Sequence, residues 1–293
     1  MMIVYGQALN YSIMRPFYVE WDDCVRRCKD AYYCMAASQQ INTTLCEIYQ
    51  VGSLKTAERL SNGRFLAIKM STNETTCPVD VTGTVGSGYG MSNFTGIPCY
   101  RTYKVTYNDP IWTFNSSDCQ SCPQNFQIFY RPLGAWCMRV IYINECMTHA
   151  KAVYNCSETY GGQLSGLETL EEYNYALSKA QSIQKTIITY PYIGFWLDGA
   201  RKPTCEYLTE RSAACNGTNE FTFSDPTLST VPQGYIWQTG QPDGLQFPSR
   251  DCLALRVQNN TNVNDGVDDL LCNSTSKTNL CFTGFICGLR PSL

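Results

Sequence analysis

Residues 146–184 read CMTHAKAVYNCSETYGGQLSGLETLEEYNYALSKAQSIQ, and this stretch decides the fold of the second half of the chain. The run from about Asn144 to Cys156 is expected as a helix, stopped by Gly161-Gly162 because glycine reaches the left-handed conformation in which helices commonly end. Thr169-x-x-Glu172 is a capping-box pattern. The Thr169 hydroxyl caps the Glu172 amide, the Glu172 side chain returns to Thr169, and a second helix runs to about Gln184. The apolar run Tyr192-Ile193-Gly194-Phe195-Trp196-Leu197 follows as a buried strand. The next clear signal is Asp251-Cys252-Leu253-Ala254-Leu255. The roughly fifty residues between them carry little periodicity, which inside a compact domain points to functional loops.

Outward from this core, the cysteines set the compartment. The chain of 293 residues holds 17 cysteines and one histidine. Only one Cys-x-x-Cys occurs, Cys119 and Cys122, so the paired spacing of a zinc ribbon or finger is missing and the cysteines are read as disulfides. Asn-x-Ser/Thr acceptors stand at Asn10, Asn42, Asn73, Asn93, Asn115, Asn155, Asn216, Asn259 and Asn273, in line with a secreted or extracellular glycoprotein. The first residues, Met1-Met2-Ile3-Val4-Tyr5-Gly6, show no basic start, apolar stretch or small-residue cleavage site of a signal peptide. The expectation is either that the signal peptide is absent from this numbering or that the gene model is truncated. A net charge of -3 argues against a nucleic-acid partner, and no apolar run approaches the ~18 residues of a spanning helix.

The cysteines form two sets, six from Cys24 to Cys99 and eleven from Cys119 to Cys287, which implies two disulfide-rich α+β domains. Tyr107-Asn108-Asp109-Pro110 reads as a turn and Asn115-Ser116-Ser117-Asp118 as a polar run. The domains are accordingly expected at 1–110 and 122–293, joined by a linker at 111–121. In the first, Trp21 to Tyr33 reads as a helix with Cys24 and Cys28 on one face. Cys46-Glu47-Ile48-Tyr49 and Arg64-Phe65-Leu66-Ala67-Ile68-Lys69 alternate as strands.

Trp21-Asp22-Asp23-Cys24-x-x-x-Cys28, Cys34 and Cys46-Glu47-Ile48-Tyr49 together resemble the PAN/apple-like modules, in their CW variant. That resemblance implies the bridges Cys24–Cys46 and Cys28–Cys34, after which Cys77 and Cys99 are expected to close a Gly-rich hairpin. In the second half, Cys156, Gly161-Gly162-Gln163-Leu164, Ile193-Gly194-Phe195, Trp237, Gly240-Gln241-Pro242-Asp243, Asp251-Cys252-Leu253, Asp268-Asp269-x-x-Cys272 and Gly284-Phe285-Ile286-Cys287 resemble, in order, the C-type lectin-like fold. It implies two helices flanking small antiparallel sheets, a domain closed by its own termini, and a long loop region bearing the ligand site. The family's pairing implies Cys156–Cys287, Cys252–Cys272 and Cys122–Cys137. Cys205 and Cys215, ten residues apart, are expected to close a local loop, and Cys146 to join Cys281. Cys119 then remains, and a disulfide-linked dimer through it is the expectation.

Sugar-binding members hold calcium through a triplet such as Gln-Pro-Asp with a cis proline, an acid two residues before the strand cysteine, and an Asn-Asp pair. A hard cation takes six to eight oxygens, and the groups that hold it also bond sugar hydroxyls. Gln241, Pro242 and Asp243 match the triplet, and Asp268 and Asp269 stand at the pair. Gln241, Asp243, Asp268 and Asp269 are thus the implied calcium ligands. These four, Pro242 and Phe247 are the implied carbohydrate site, with Phe247 either a platform for a galactose ring or a loop anchor. Taken alone, Gln241-Pro242-Asp243-Gly244 also reads as an ordinary surface turn. Arg250 departs from the pattern by placing a cation where the acid belongs; it either opposes the metal or pairs with Asp243 or Asp269 in its stead. Val267 replaces the expected Trp, a matter of packing.

His149 reads as a packing or surface residue and Glu171-Glu172 as a solvated helix cap. With one histidine and no nucleophile elbow, no enzyme is expected. The expected function is extracellular carbohydrate binding of galactose type with calcium, its partners glycans or glycoproteins. The alternative is a metal-independent protein-protein interaction module without sugar binding.

Overall fold

The computed structural model describes residues 1–72, 82–92, 99–187, 189–208, 210–244, 250–259, 264–277 and 279–292, with Arg250 and Lys277 described in backbone only. The chain divides into one unit of Met1–Ser121 with Ser292, and a second of Cys122–Pro291. The first contains β1 (Met2–Tyr11), β2 (Met14–Tyr18), α1 (Trp21–Asp30), β3 (Cys34–Gln40), β4 (Leu45–Gln50), β5 (Leu54–Arg59), β6 (Arg64–Ile68), β7 (Gly83–Ser92), β8 (Cys99–Asn108) and β9 (Ile111–Ser116). The second contains β10 (Gln127–Arg131), β11 (Gly134–Tyr142), α2 (His149–Tyr160), β12 (Gln163–Leu164), α3 (Leu170–Gln184) and β13 (Tyr192–Arg201). It continues with β14 (Phe221–Thr222), β15 (Arg250–Gln258), β16 (Gly266–Leu271), β17 (Ser276–Lys277) and β18 (Leu280–Leu289). No helix among the described residues is long and apolar enough to cross a membrane.

In the first unit the strand order is β2-β4-β3-β6-β1-β5-β9-β8-β7. Cys24 and Cys28, four apart on α1, are both fully buried and are tied to Cys46 of β4 and Cys34 of β3. The run expected as a linker instead holds β9, which pairs with β5 and β8. Ile111-Trp112-Thr113-Phe114 alternates, with Trp112 and Phe114 buried in the core, so Asn108-Asp109-Pro110 is a hairpin turn and not a domain exit. This corrects a pairing as well. Because β9 runs antiparallel to β8, the chain after it returns beside the start of β8, where the Gln120 amide donates to the Tyr100 carbonyl at 2.9 Å. Cys119 therefore bonds Cys99, in place of the expected Cys77–Cys99 bridge, and has no thiol to offer a dimer. Cys77 lies outside the described residues.

In the second unit the main sheet runs β10-β11-β18-β13-β15-β16, with β12 and β17 on β18 and β14 on β13. Every pairing is antiparallel except β13 with β18. β18 is buried from Leu280 to Gly288, which explains its largely apolar sequence; its one polar side chain, Thr283, donates to the Ile143 carbonyl. Its pairing with β11 brings the two ends of the domain together. The cysteines pair as Cys122–Cys137, Cys146–Cys281, Cys156–Cys287, Cys205–Cys215 and Cys252–Cys272. The first helix starts later than its sequence suggests: Thr148 caps α2 by accepting from the Lys151 amide, leaving Cys146 before the helix. Gly161, with φ +63°, ends it.

The α3 cap is half of a capping box. Thr169 accepts from the Glu172 amide at 3.2 Å, but the Glu172 carboxylate takes the Glu168 amide and the Arg131 guanidinium instead. Glu172 is therefore fully buried, contrary to the solvated cap read from sequence, while Glu171 is exposed. Arg131 is itself fully buried. It donates to both Glu172 oxygens at 2.8 and 2.9 Å, to Asp225 at 2.6 Å and to Thr227 at 2.8 Å, and lies over the Trp136 ring. This cluster joins β10, α3 and the loop around Asp225. Burial pushes the Glu172 carboxyl up, and Arg131 opposes that rise.

Candidate functional site

The long loop enters the site region at Gly240, whose φ of +87° favours glycine, and passes through a cis Gln241–Pro242 bond. Asp268 and Asp269 lie on β16, paired with Ala254 and Leu253 of β15. The loop is fastened to β16 by one carboxylate: Asp269 accepts the Asp243 amide at 2.8 Å and the Gly244 amide at 2.7 Å. As a result the carboxylates of Asp243, Asp268 and Asp269 offer oxygens within 4.8 Å of one another. Asp268 and Asp269 are buried, and burial raises both carboxyls from their ordinary value. Gln241 Oε1 and Asp268 Oδ1 are buried without a hydrogen-bond partner.

Arginines crowd these acids. Arg201, at the end of β13 and 5% exposed, donates to Asp269 and to Glu220, and its guanidinium lies 4.7 Å from the centre of the Phe221 ring. Its Nε is 3.7 Å from Asp251. Arg211 donates to Glu220 at 2.8 Å and to the Pro242 carbonyl, so it braces the loop from the other side. Arg256 of β15 pairs with Asp268. The chain thus fills its acidic cluster with its own cations.

A family model for C-type lectin domain-containing protein 141/158 matches residues 131–290, more than half of the chain. The chain belongs to this C-type lectin-domain family. A second model, for a PAN-like domain, matches residues 1–70. Among solved structures, human lithostathine is 18% identical, covering 58% of this chain and 91% of its own, with a TM-score of 0.36. Herring type II antifreeze protein is 18% identical, covering 59% and 100%, with a TM-score of 0.36. A comparison with curated proteins returned no match. The chain thus carries a PAN-like module followed by a lectin-like one, and the eight bridges among its described residues fit an extracellular protein.

Within this lectin-domain chain most oxygens of the acidic cluster are engaged by the chain's own groups rather than left for a calcium ion. Both Asp269 oxygens are occupied by loop amides and Arg201, and one Asp268 oxygen by Arg256. Asp268 Oδ1, Gln241 Oε1 and the Asp243 carboxylate fall short of the six to eight oxygens such an ion takes. A divalent ion at about 4.5 Å from a guanidinium would meet a repulsion of roughly 7 kcal/mol at an effective dielectric near 20.

Sequence reasoning located the acids and missed their partners. Arg201, Arg211, Glu220 and Arg256 carry no spacing signal that connects them to the loop; Arg250 was the one cation that the motif's own spacing pointed to. Phe247 and the Arg250 side chain lie outside the described residues. Val267 is fully buried and bridges Trp237. His149 opens α2 and packs edge-on against Trp196 at 5.4 Å, a structural contact, and burial lowers its pKa.

Proposed function

We propose that this protein is an extracellular binding protein, not an enzyme, whose lectin-like domain recognises a protein ligand without a metal. The observation that carries this reading is Arg201, buried between Glu220 and Asp269 where the family's loop closes on β16. In sugar-binding members, as the resemblance implies, the cation is the bridge to sugar hydroxyls. A guanidinium has no vacant coordination position and cannot make that bridge. It can, however, lock the loop by charge-assisted hydrogen bonds, leaving a rigid loop surface suited to docking a folded partner.

A second reading has an observation of its own. The unpartnered oxygens of Gln241 and Asp268, beside Asp243, favour a galactose-type glycan site with calcium at Gln241, Asp243, Asp268 and Asp269. Calorimetric titration of the full chain with calcium, followed by a glycan screen with and without chelator, separates the two. Absence of calcium heat together with absence of chelator-sensitive glycan binding is expected; calcium-dependent retention on galactose-type glycans refutes the metal-free reading.

A further inference from the structure

The first unit carries a cleft that no part of the lectin reading uses. Phe65 is sandwiched between Tyr5, at 5.3 Å and 20° between ring planes, and Trp21, at 5.2 Å and 23°. On the Trp21 side of Phe65 opens a cleft of about 600 Å³ whose lining includes Glu20, Trp21, Gln39, Asn42, Thr44 and Phe65. Gln39 is 2% exposed, and its Nε2 donates to the Val19 and Thr43 carbonyls while its Oε1 is buried with no donor. The cleft thus combines an aromatic wall with a polar rim of Gln40, Asn42, Thr43 and Thr44. No lysine or arginine lines it, and Glu20 is its one charged group, so an anionic ligand is disfavoured. A neutral sugar suits it, with ring C–H groups against Trp21 and its hydroxyls towards the polar rim.

Asn42 stands on the rim of this cleft, in the turn between β3 and β4, with φ +64° and its side chain exposed. Asn42-Thr43-Thr44 is a glycosylation acceptor, and Thr44 is exposed too. We infer that the cleft is filled by the chain's own sugar: the first N-acetylglucosamine of a glycan on Asn42 packs against Trp21 and the edge of Phe65. Attachment occurs in the secretory compartment from a lipid-diphosphate-linked oligosaccharide. The Asn42 amide nitrogen forms a bond to the anomeric carbon as the carbon–oxygen bond to the diphosphate breaks. The electron pair leaves with the diphosphate, and the nitrogen gives one proton to the transferase's base. Tethering explains why a shallow, polar cleft suffices, because a linked group faces an effective concentration in the millimolar range. The glycan is then part of the module's fold, ordering the turn from Gln39 to Thr44.

The test uses the full chain secreted from an animal cell line, with glycopeptide mass spectrometry at Asn42 and amide hydrogen exchange over residues 39–45. Asn42 is expected to be occupied. Exchange in the turn is expected to be about fivefold slower in the wild type and in Thr44→Ser, which keeps the acceptor, than in Thr44→Ala, which loses it. Trimming with an endoglycosidase that leaves one N-acetylglucosamine should keep the protection, and complete enzymatic removal should abolish it. In Trp21→Leu, glycosylated and deglycosylated forms should exchange alike. An unoccupied Asn42, equal exchange with and without the sugar, or protection that survives Trp21→Leu overturns the inference.

Discussion

Replacing Arg201 by methionine, which keeps the length of the side chain and removes its charge, probes the metal-free reading most directly. Arg201 is buried and serves two buried carboxylates, Asp269 and Glu220. Breaking a buried ion pair from one side costs about 3–5 kcal/mol, since a charge is left without its partner. Here both acids retain help: Asp269 keeps two loop amides and Glu220 keeps Arg211. The loss should therefore lie near the lower end, about 3 kcal/mol, or roughly 6–12 °C in the midpoint of a domain of this size. Removing the guanidinium also takes a positive charge away from Asp243, Asp268 and Asp269 and opens one lone pair of Asp269 Oδ2, which keeps the Gly244 amide, so Arg201→Met should become responsive to calcium. At ten times the dissociation constant the ion returns about 1.4 kcal/mol. Calorimetric melting of wild type and variant, in chelator and in millimolar calcium, gives all four numbers. The reasoning is refuted if the variant melts with the wild type in chelator, or if calcium stabilises the wild type as much as it does the variant.

Glu172→Ala should destabilise the second unit by about 3–5 kcal/mol in chemical denaturation, because Arg131 is left in the core with Asp225 as its one carboxylate partner beside the neutral Thr227 and Gly166 acceptors; a loss under 1 kcal/mol contradicts a stabilising cluster. His149 is the chain's one histidine, and its pKa is lowered by burial, so below its ordinary value near 6.5 the unfolded chain takes up the proton first. Stability should fall as the pH drops from 6.5 towards the lowered folded-state value, and His149→Gln should flatten that part of the curve. Peptide mapping without reduction should recover Cys99 linked to Cys119; a Cys119 peptide joined to a second chain would contradict the pairing.

What was legible in the sequence is what neighbours along the chain decide. Thr169 caps α3, Gly161 ends α2, Cys24 and Cys28 share a face of α1, and Gln241-Pro242-Asp243 lies on the long loop next to Asp268 and Asp269. Each depends on contacts within a turn of helix, or on motif order that a resemblance supplies. Tertiary structure alone decided who meets these residues. Arg131 reaches Asp225 across 94 residues and Arg201 reaches Asp269 across 68. Glu172 left its own cap for Arg131, and Cys119 found Cys99 because β9 folds back along β8. Buried charges must be paired wherever the fold brings an opposite charge, and no local pattern records which distant residue that will be. The acids of the family's site could therefore be named from sequence, while their occupation by arginine followed only from packing.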